Sequence, residues 1–258
     1  MSFPLPNASN DLSGRVALVT GASAGLGARF AKVLAVCGAK VGLAARRVER
    51  LEAVADEIRA AGGEAICIEM DATDADQLIG AVDTLEKAFG TVDILVNNAG
   101  IVDAQRAHKM EVELIDRVLA VNLRAPYILA CEVARRLIAA EKPGRIVNIS
   151  STAHFSYTGQ GAALYSITKT GVARMTETLA VEWAKYFINV NAICPGMFKT
   201  EMLDGMYERM GDLAQYVVRK RAGDPAQLDS TLLYLVSPAS ECVTGAIIRV
   251  DDGQSAQN

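Results

Sequence analysis

Seven short apolar runs rich in β-formers recur along this chain, and longer amphipathic stretches separate them. The runs are "RVALVT" from Arg15, "KVGLAA" from Lys40, "AICIEM" from Ala65, "VDILVN" from Val92, "RIVNIS" from Arg145, "NVNAIC" from Asn189 and "AIIRVD" from Ala246. Helical periodicity marks residues 26–36, 48–60, 75–89, 112–121, 127–140, 163–185 and 225–236. A helix-length crossover is what a parallel strand pair requires, and helices on both faces explain strands that are apolar on both sides. The pattern therefore predicts an α/β chain with a single-domain Rossmann fold: a doubly wound, seven-stranded parallel sheet with helices on both faces. The 258 residues, 51% of them hydrophobic, are enough for one large core. Residues 1–13, with two prolines, read as a flexible arm, and residues 14–258 as the folded domain.

One long segment, residues 196–223, fits neither a strand nor a crossover helix. It follows the sixth strand, at the sheet edge where such folds bind ligands, and it is rich in Met, Leu and Tyr. It reads as a lid over an apolar substrate, with Met197, Met202 and Met206 lining the pocket.

Charge and composition exclude several functions. A net charge of -4 without long like-charge blocks offers no footprint for nucleic acid or an anionic membrane. Five well-separated cysteines read as free thiols of a reducing compartment, and two histidines without a Cys/His cluster leave no metal site. No basic stretch precedes an apolar run near Met1, and no segment approaches a membrane span, so a cytoplasmic protein acting on a small molecule is expected.

The stretch "TGASAGLG", residues 20–27, ends the first strand and opens the first helix. Gly21 permits the turn, Gly25 lets backbone approach a phosphate, and Gly27 allows close helix packing, while the helix N-terminus offers N–H groups to a pyrophosphate. A dinucleotide is the expected cofactor, touched also by Ser23, Leu26, Asp71, Ala72 and, in "NNAG", by Asn98, Ala99 and Gly100. Asp71 has an adenine-contact reading beside a plainer one as a turn or cap residue. After the second strand an NAD-binder would carry an acid for the ribose 2′-hydroxyl; here the chain reads Ala44, Ala45, Arg46, Arg47. Arg46, supported by Arg47, suits a 2′-phosphate, so NADP(H) is expected in preference to NAD(H).

Tyr165 and Lys169 are four apart on one helix face, where an ammonium favours a phenolate and brings the phenol toward general acid–base use. Alone the pair would be an ordinary helix-surface contact. Together with TGxxxGxG at 20–27, NNAG at 97–100, Asn122, a serine pair ending the fifth strand and Pro195-Gly196, it resembles the classical short-chain dehydrogenase/reductase family over essentially the whole chain. Its 3-oxoacyl thioester reductases and carbonyl reductases are the members it most resembles.

The resemblance implies reversible hydride transfer between a ketone and a secondary alcohol. Asn122, Ser151, Tyr165 and Lys169 would form the catalytic tetrad, with Tyr165 as acid and base, Ser151 positioning the carbonyl, and Lys169 and Asn122 relaying protons. Tyr165 and Lys169 would also touch the cofactor, as would Pro195, Gly196 and Thr200 in "CPGMFKT". The family's usual interval from serine to tyrosine falls on Thr152. Matching the strand end instead selects Ser151, with one extra residue in the following loop and Ser150 turned to the opposite side. In that loop His154 and Tyr157 are candidate pocket residues. Homo-oligomers are expected, a tetramer before a dimer. Two other readings stand beside the ketone reductase: a sugar or polyol dehydrogenase, and a non-catalytic dinucleotide sensor of the same fold.

Overall fold

The computed structural model describes residues 4–157, 159 and 161–254. The ends of the arm and domain expected at residues 1–3 and 255–258 lie outside the described residues. All seven expected strands form: β1 (Val16–Thr20), β2 (Lys40–Ala45), β3 (Ala65–Glu69), β4 (Ile94–Asn97), β5 (Gly144–Ile149), β6 (Ile188–Pro195) and β7 (Ile247–Val250). They pair in parallel in the order β3-β2-β1-β4-β5-β6-β7. The order reverses between β1 and β4, and there the carboxyl ends of the strands splay into a crevice.

Two helical layers cover the sheet. On one face α1 (Gly25–Val36), α2 (Val48–Ala60) and α8 (Asp229–Val236) bury Phe30, Leu34, Leu51, Ile58, Leu232 and Leu235. On the other, α3 (Ala75–Phe89), α5 (Ala125–Ala139) and α6 (Ala163–Trp183) bury Leu78, Leu85, Leu129, Leu137, Met175 and Trp183. Leu12 is 1% exposed and its N–H donates to Cys37 O at 2.7 Å, so the packed chain begins before the boundary expected at residue 14.

Between the expected helices at 112–121 and 127–140 no break occurs. Helix α4 (Val112–Leu119) runs through a π turn (Ala120–Arg124) into α5. Inside that turn the Asn122 side chain pairs with both backbone groups of Ile101, accepting from its N–H and donating to its C=O at 2.8 Å each. A wider turn with an inserted side-chain partner is how a helix absorbs such a residue without stopping. The segment at 196–223 folds into α7 (Glu201–Met210), N-capped by Thr200, and a short 3-10 turn (Ala214–Tyr216).

Four asparagines within the described strands act as cross-links, among them Asn189, whose Nδ2 donates to Glu241 O at 2.7 Å. Asn97 Nδ2 donates to Asn148 Oδ1 (2.9 Å) and Pro126 O (3.2 Å), and Asn148 Nδ2 donates to Thr176 Oγ1 (2.9 Å), joining β4, β5, α5 and α6. Asn191 Nδ2 ties β6 to Val243 O at 2.7 Å. Because Asn148 is wholly buried, Asn148→Ala leaves Asn97 and Thr176 short of partners; urea unfolding should show a loss of about 2 kcal/mol, and a loss below about 0.5 kcal/mol would show that the link contributes nothing.

Candidate active site

A cleft of about 1220 Å³ opens at the carboxyl edge of the sheet over β1 and β4. Its floor is made by stitching two loops together. Thr20 Oγ1 accepts from Asn98 N (3.0 Å) and Ala99 N (3.1 Å), while Asn98 Nδ2 donates to Thr20 O (2.9 Å). Gly21 has φ +65°, and a Cβ there would stand 2.9 Å from Ala99 Cα and from Asn98 Nδ2. Only glycine fits. At Gly27 a Cβ would overlap the Gly21 carbonyl, so Gly27 is a packing residue of α1 against the turn; of the expected cofactor contacts it alone does not line the cleft. Ser23, Gly25, Leu26, Asp71, Ala72, Asn98, Ala99, Gly100, Pro195, Gly196 and Thr200 all do.

The N-cap of α1, Ala24, has no side-chain acceptor, so first-turn N–H groups of a twelve-residue helix face the cleft without a side-chain cap. An anionic pyrophosphate fits those groups. At the far end Arg46 is exposed and lines the cleft, with no ion pair among the described residues. Arg47 donates to Ser23 Oγ (3.1 and 3.3 Å) and to Glu201 (3.0 Å), and Arg50 also pairs with Glu201. Asp71 Oδ1 accepts from Thr73 N and Oγ1 at 2.9 Å each, which holds its carboxyl below the usual range with help from Arg46. The cap of α3 is Asp74, not Asp71.

At the opposite end, Tyr165 and Lys169 lie one turn apart on α6, the ammonium 5.6 Å from the phenol ring centroid. Lys169 is buried, and its Nζ donates to Ile149 O at 2.8 Å. Burial brings its pKa down to about 8. Burial also raises the Tyr165 phenol, against a hydrogen bond from Ser151 that lowers it. The expected depression of Tyr165 by Lys169 is therefore not the dominant effect: the ammonium points to a backbone carbonyl, and desolvation outweighs it.

The extra residue after β5 does not displace Ser151. After β5 comes a 3-10 turn (Thr152–His154) that Ser151 itself caps, its Oγ accepting from Ala153 N at 3.1 Å. Ser166 Oγ donates to Ala153 O at 2.7 Å and ties the turn to α6. Ser150 faces the other way and donates to Lys169 O at 2.8 Å. Asn122, buried, spends both amide atoms on Ile101 and also contacts Thr168 Oγ1 at 3.3 Å. Gly100 lies between it and Lys169, where a Cβ would be 3.4 Å from Nζ and 3.6 Å from Asn122 Oδ1.

Met197, Met202, Met206 and Tyr157 line the cleft as expected from their segments. His154 does not: the 3-10 turn carries it out of the lining, and its ring packs on Phe155, centroids 4.4 Å apart. Sequence reasoning placed Phe198 and Met210 in the lid without assigning them to the pocket and passed over Leu213 and Val217, which with them extend the apolar wall, and Gln254, whose Oε1 accepts from Met197 N at 2.9 Å. The richness of 196–223 in apolar residues was the available signal for the first four; Gln254 carried none.

Asp103 was also missed. It is 4% exposed, and its Oδ2 accepts from Leu164 N at 3.1 Å, capping the helix that bears Tyr165 and Lys169 from outside, since Ala162 at the N-cap has no acceptor. Asp103→Ala should cost about 1 kcal/mol in thermal or urea unfolding and lower turnover, whereas Asp103→Asn keeps an acceptor and should lose less than half as much. Equal losses in both variants would remove the capping explanation.

The family model described as short chain dehydrogenase matches residues 15–211. Over 244 residues the chain is 36% identical to a 3-oxoacyl-(acyl-carrier-protein) reductase of Synechocystis sp., covering 94% of this chain and 97% of that protein. It is 35% identical over 245 residues to a gluconate 5-dehydrogenase of Gluconobacter oxydans, covering 94% and 95%. Among solved structures it is similar to a variant of actinorhodin polyketide ketoreductase with NADPH, at TM-score 0.89 and 31% identity over 93% of this chain and 97% of that one. A cleft joining a glycine-rich turn to a Ser-Tyr-Lys cluster, a family match across most of the chain and relatives spanning nearly all of it lead to one conclusion: the chain belongs to the short chain dehydrogenase family and is an oxidoreductase of ketones and alcohols.

Proposed function

We propose that this oxidoreductase uses NADP(H) and reduces a small to medium apolar ketone, with Tyr165 as proton donor. The observation that carries the reading is a single cleft with Arg46 and Arg47 at one end and Ser151, Tyr165 and Lys169 at the other, roofed there by Met197, Met202 and Met206. A nicotinamide dinucleotide, when bound, supplies or accepts the hydride. The α1 N-terminus and the backbone at Gly21 and Gly25 hold its pyrophosphate, Arg46 and Arg47 its 2′-phosphate, and Pro195, Gly196 and Thr200 flank its nicotinamide end.

In reduction, Ser151 Oγ–H donates a hydrogen bond to the ketone oxygen and orients it, while the Tyr165 hydroxyl gives that oxygen its proton. A phenol raised by burial stays protonated at neutral pH, which suits the donor role. Lys169 holds the ribose and returns a proton toward Tyr165. The side-chain amide of Asn122 is spent on Ile101, so Asn122 acts by holding the Gly100–Ile101 loop beside Lys169, and Lys169 regains its proton from solvent water. In oxidation the same groups act in reverse. A polyol would leave several hydroxyls facing methionines, which favours the apolar ketone. Exposed apolar side chains on α5 and α6, Tyr127, Ile167 and Val181, support a homo-oligomer, a tetramer before a dimer. The cytoplasm is the proposed compartment, supported by five free cysteines; no described helix is long and apolar enough to cross a membrane.

NADPH oxidation against a panel of 3-oxoacyl thioesters, cyclic ketones and keto-sugar acids tests the substrate class, with apolar ketones expected to lead. Tyr165→Phe should lower kcat by about a hundredfold to ten-thousandfold. For the wild type, reduction should hold steady through neutral pH and fall as pH rises through about 8, where Lys169 loses its proton; oxidation should rise with pH. A reduction rate that climbs through pH 8, or an unimpaired phenylalanine variant, would exclude this assignment of the proton. Arg46→Ala should raise KM for NADPH about tenfold or more while leaving that for NADH within about twofold.

A further inference from the structure

Glu201 opens α7, and its carboxylate lies across the cleft mouth from its own helix. One oxygen accepts from Arg47 NH1 at 3.0 Å and the other pairs with Arg50. The same Arg47 guanidinium donates to Ser23 Oγ in the glycine-rich turn. Thr200, one residue earlier, caps α7 and brings its Cγ2 to 3.2 Å from where a Cβ on Gly25 would be. Thus the first turn of α7, the glycine-rich turn and the start of α2 are joined through one carboxylate. Arg46, the neighbouring cation, lines the cleft beside them.

A phosphate dianion held between Arg46 and Arg47 would stand next to the Glu201 carboxylate and compete with it for the same guanidinium. Like charges at such separations repel, and Arg47 cannot give its fork to both in full. We infer that Glu201 is a latch and a specificity-determining residue: it fastens the 196–223 segment to the adenosine end of the cleft, and a 2′-phosphate, but not a 2′-hydroxyl, frees it. This inference rests on the 2′-phosphate reading above. NADP(H) and NAD(H) then bind with different positions of α7, and Glu201 reduces the enzyme's own preference for the phosphorylated cofactor.

The test uses the full chain as wild type, Glu201→Gln and Arg46→Ala. Fluorescence titration gives Kd for NADPH and NADH, and amide exchange follows residues 200–217 with saturating NADP+ or NAD+. Glu201→Gln should tighten NADPH about threefold to tenfold, with NADH changed less than about twofold. In the wild type NADP+ should speed exchange in α7 relative to NAD+, and in Glu201→Gln exchange should already be fast and alike with both. The latch is overturned if NADPH binding changes by less than twofold, if both cofactors shift together, or if wild-type exchange is the same with either. Weaker NADH in Glu201→Gln would make Glu201 an acceptor for the ribose hydroxyl and also overturn it. If Arg46→Ala leaves both Kd values unchanged, the 2′-phosphate reading itself has failed; if it weakens NADPH selectively while Glu201→Gln does nothing, only the latch has.

Discussion

Thr20 and Asn98 hold open the crevice on which everything else in this molecule depends. Strands β1 and β4 are neighbours in the sheet, yet their continuations diverge, α1 to one face and the Gly100 loop to the other. The divergence exposes backbone polar groups at two strand ends, and these would be costly if left unpaired. Thr20 Oγ1 takes two N–H groups of the β4 loop, and Asn98 Nδ2 returns to the carbonyls of Thr20 and Gly21. The glycines then follow from the geometry, because the stitched loops leave no room for a Cβ at Gly21 or Gly27.

The reactive end is set by burial more than by charge attraction. Lys169 has a backbone carbonyl for a partner and lies over the Tyr165 ring, so its ammonium is desolvated and its pKa falls to about 8. Tyr165 moves the other way for the same reason, a neutral phenol being the form that low polarity favours. One protein environment thus drives the two values apart, so a phenolate left after Tyr165 gives up its proton is readily reprotonated by the Lys169 ammonium. The capping of α6 by Asp103 fixes where this pair begins along the helix.

How much of this was legible in the sequence differs by the kind of interaction. The strands could be read because each is a short apolar run bounded by glycine or a polar turn, and all seven formed. Tyr165 with Lys169 and the glycine-rich turn were legible because their functions depend on spacing within one element. What could not be read depends on contacts between elements distant in sequence. Asp103 meets Leu164 across 61 residues, and Glu201 meets Arg47 across 154. His154 lies in a 3-10 turn, with its ring packed on Phe155 and outside the cleft lining, an orientation that sequence position alone does not give. The expected helices at 112–121 and 127–140 left a gap around Asn122, but a partner in Ile101 lets the helix widen and continue there.

The 196–223 segment combines a firm base with a weakly held body. At the base Gly223 N donates to Met197 O (2.8 Å), Lys199 N donates to Gly223 O (2.9 Å), and Phe198, 7% exposed, packs where a Cβ on Gly223 would be. Beyond the base the segment is held by buried Leu203 of α7 and by exposed ion pairs: Glu201 to Arg47 and Arg50, and Arg219 with Arg221 to Asp252. Asp252 adopts φ +54°, a conformation glycine takes more readily, and its two arginines hold its carboxyl below the usual range. Exposed pairs contribute little net stability and are screened by salt. The ion pairs of this segment thus lie beyond a base at which Met197 and Phe198 are held by backbone hydrogen bonds and packing. A bound phosphate that acts on such a fastening from the cofactor end would also shift Met202, Met206 and Met210, and with them the wall of the substrate end.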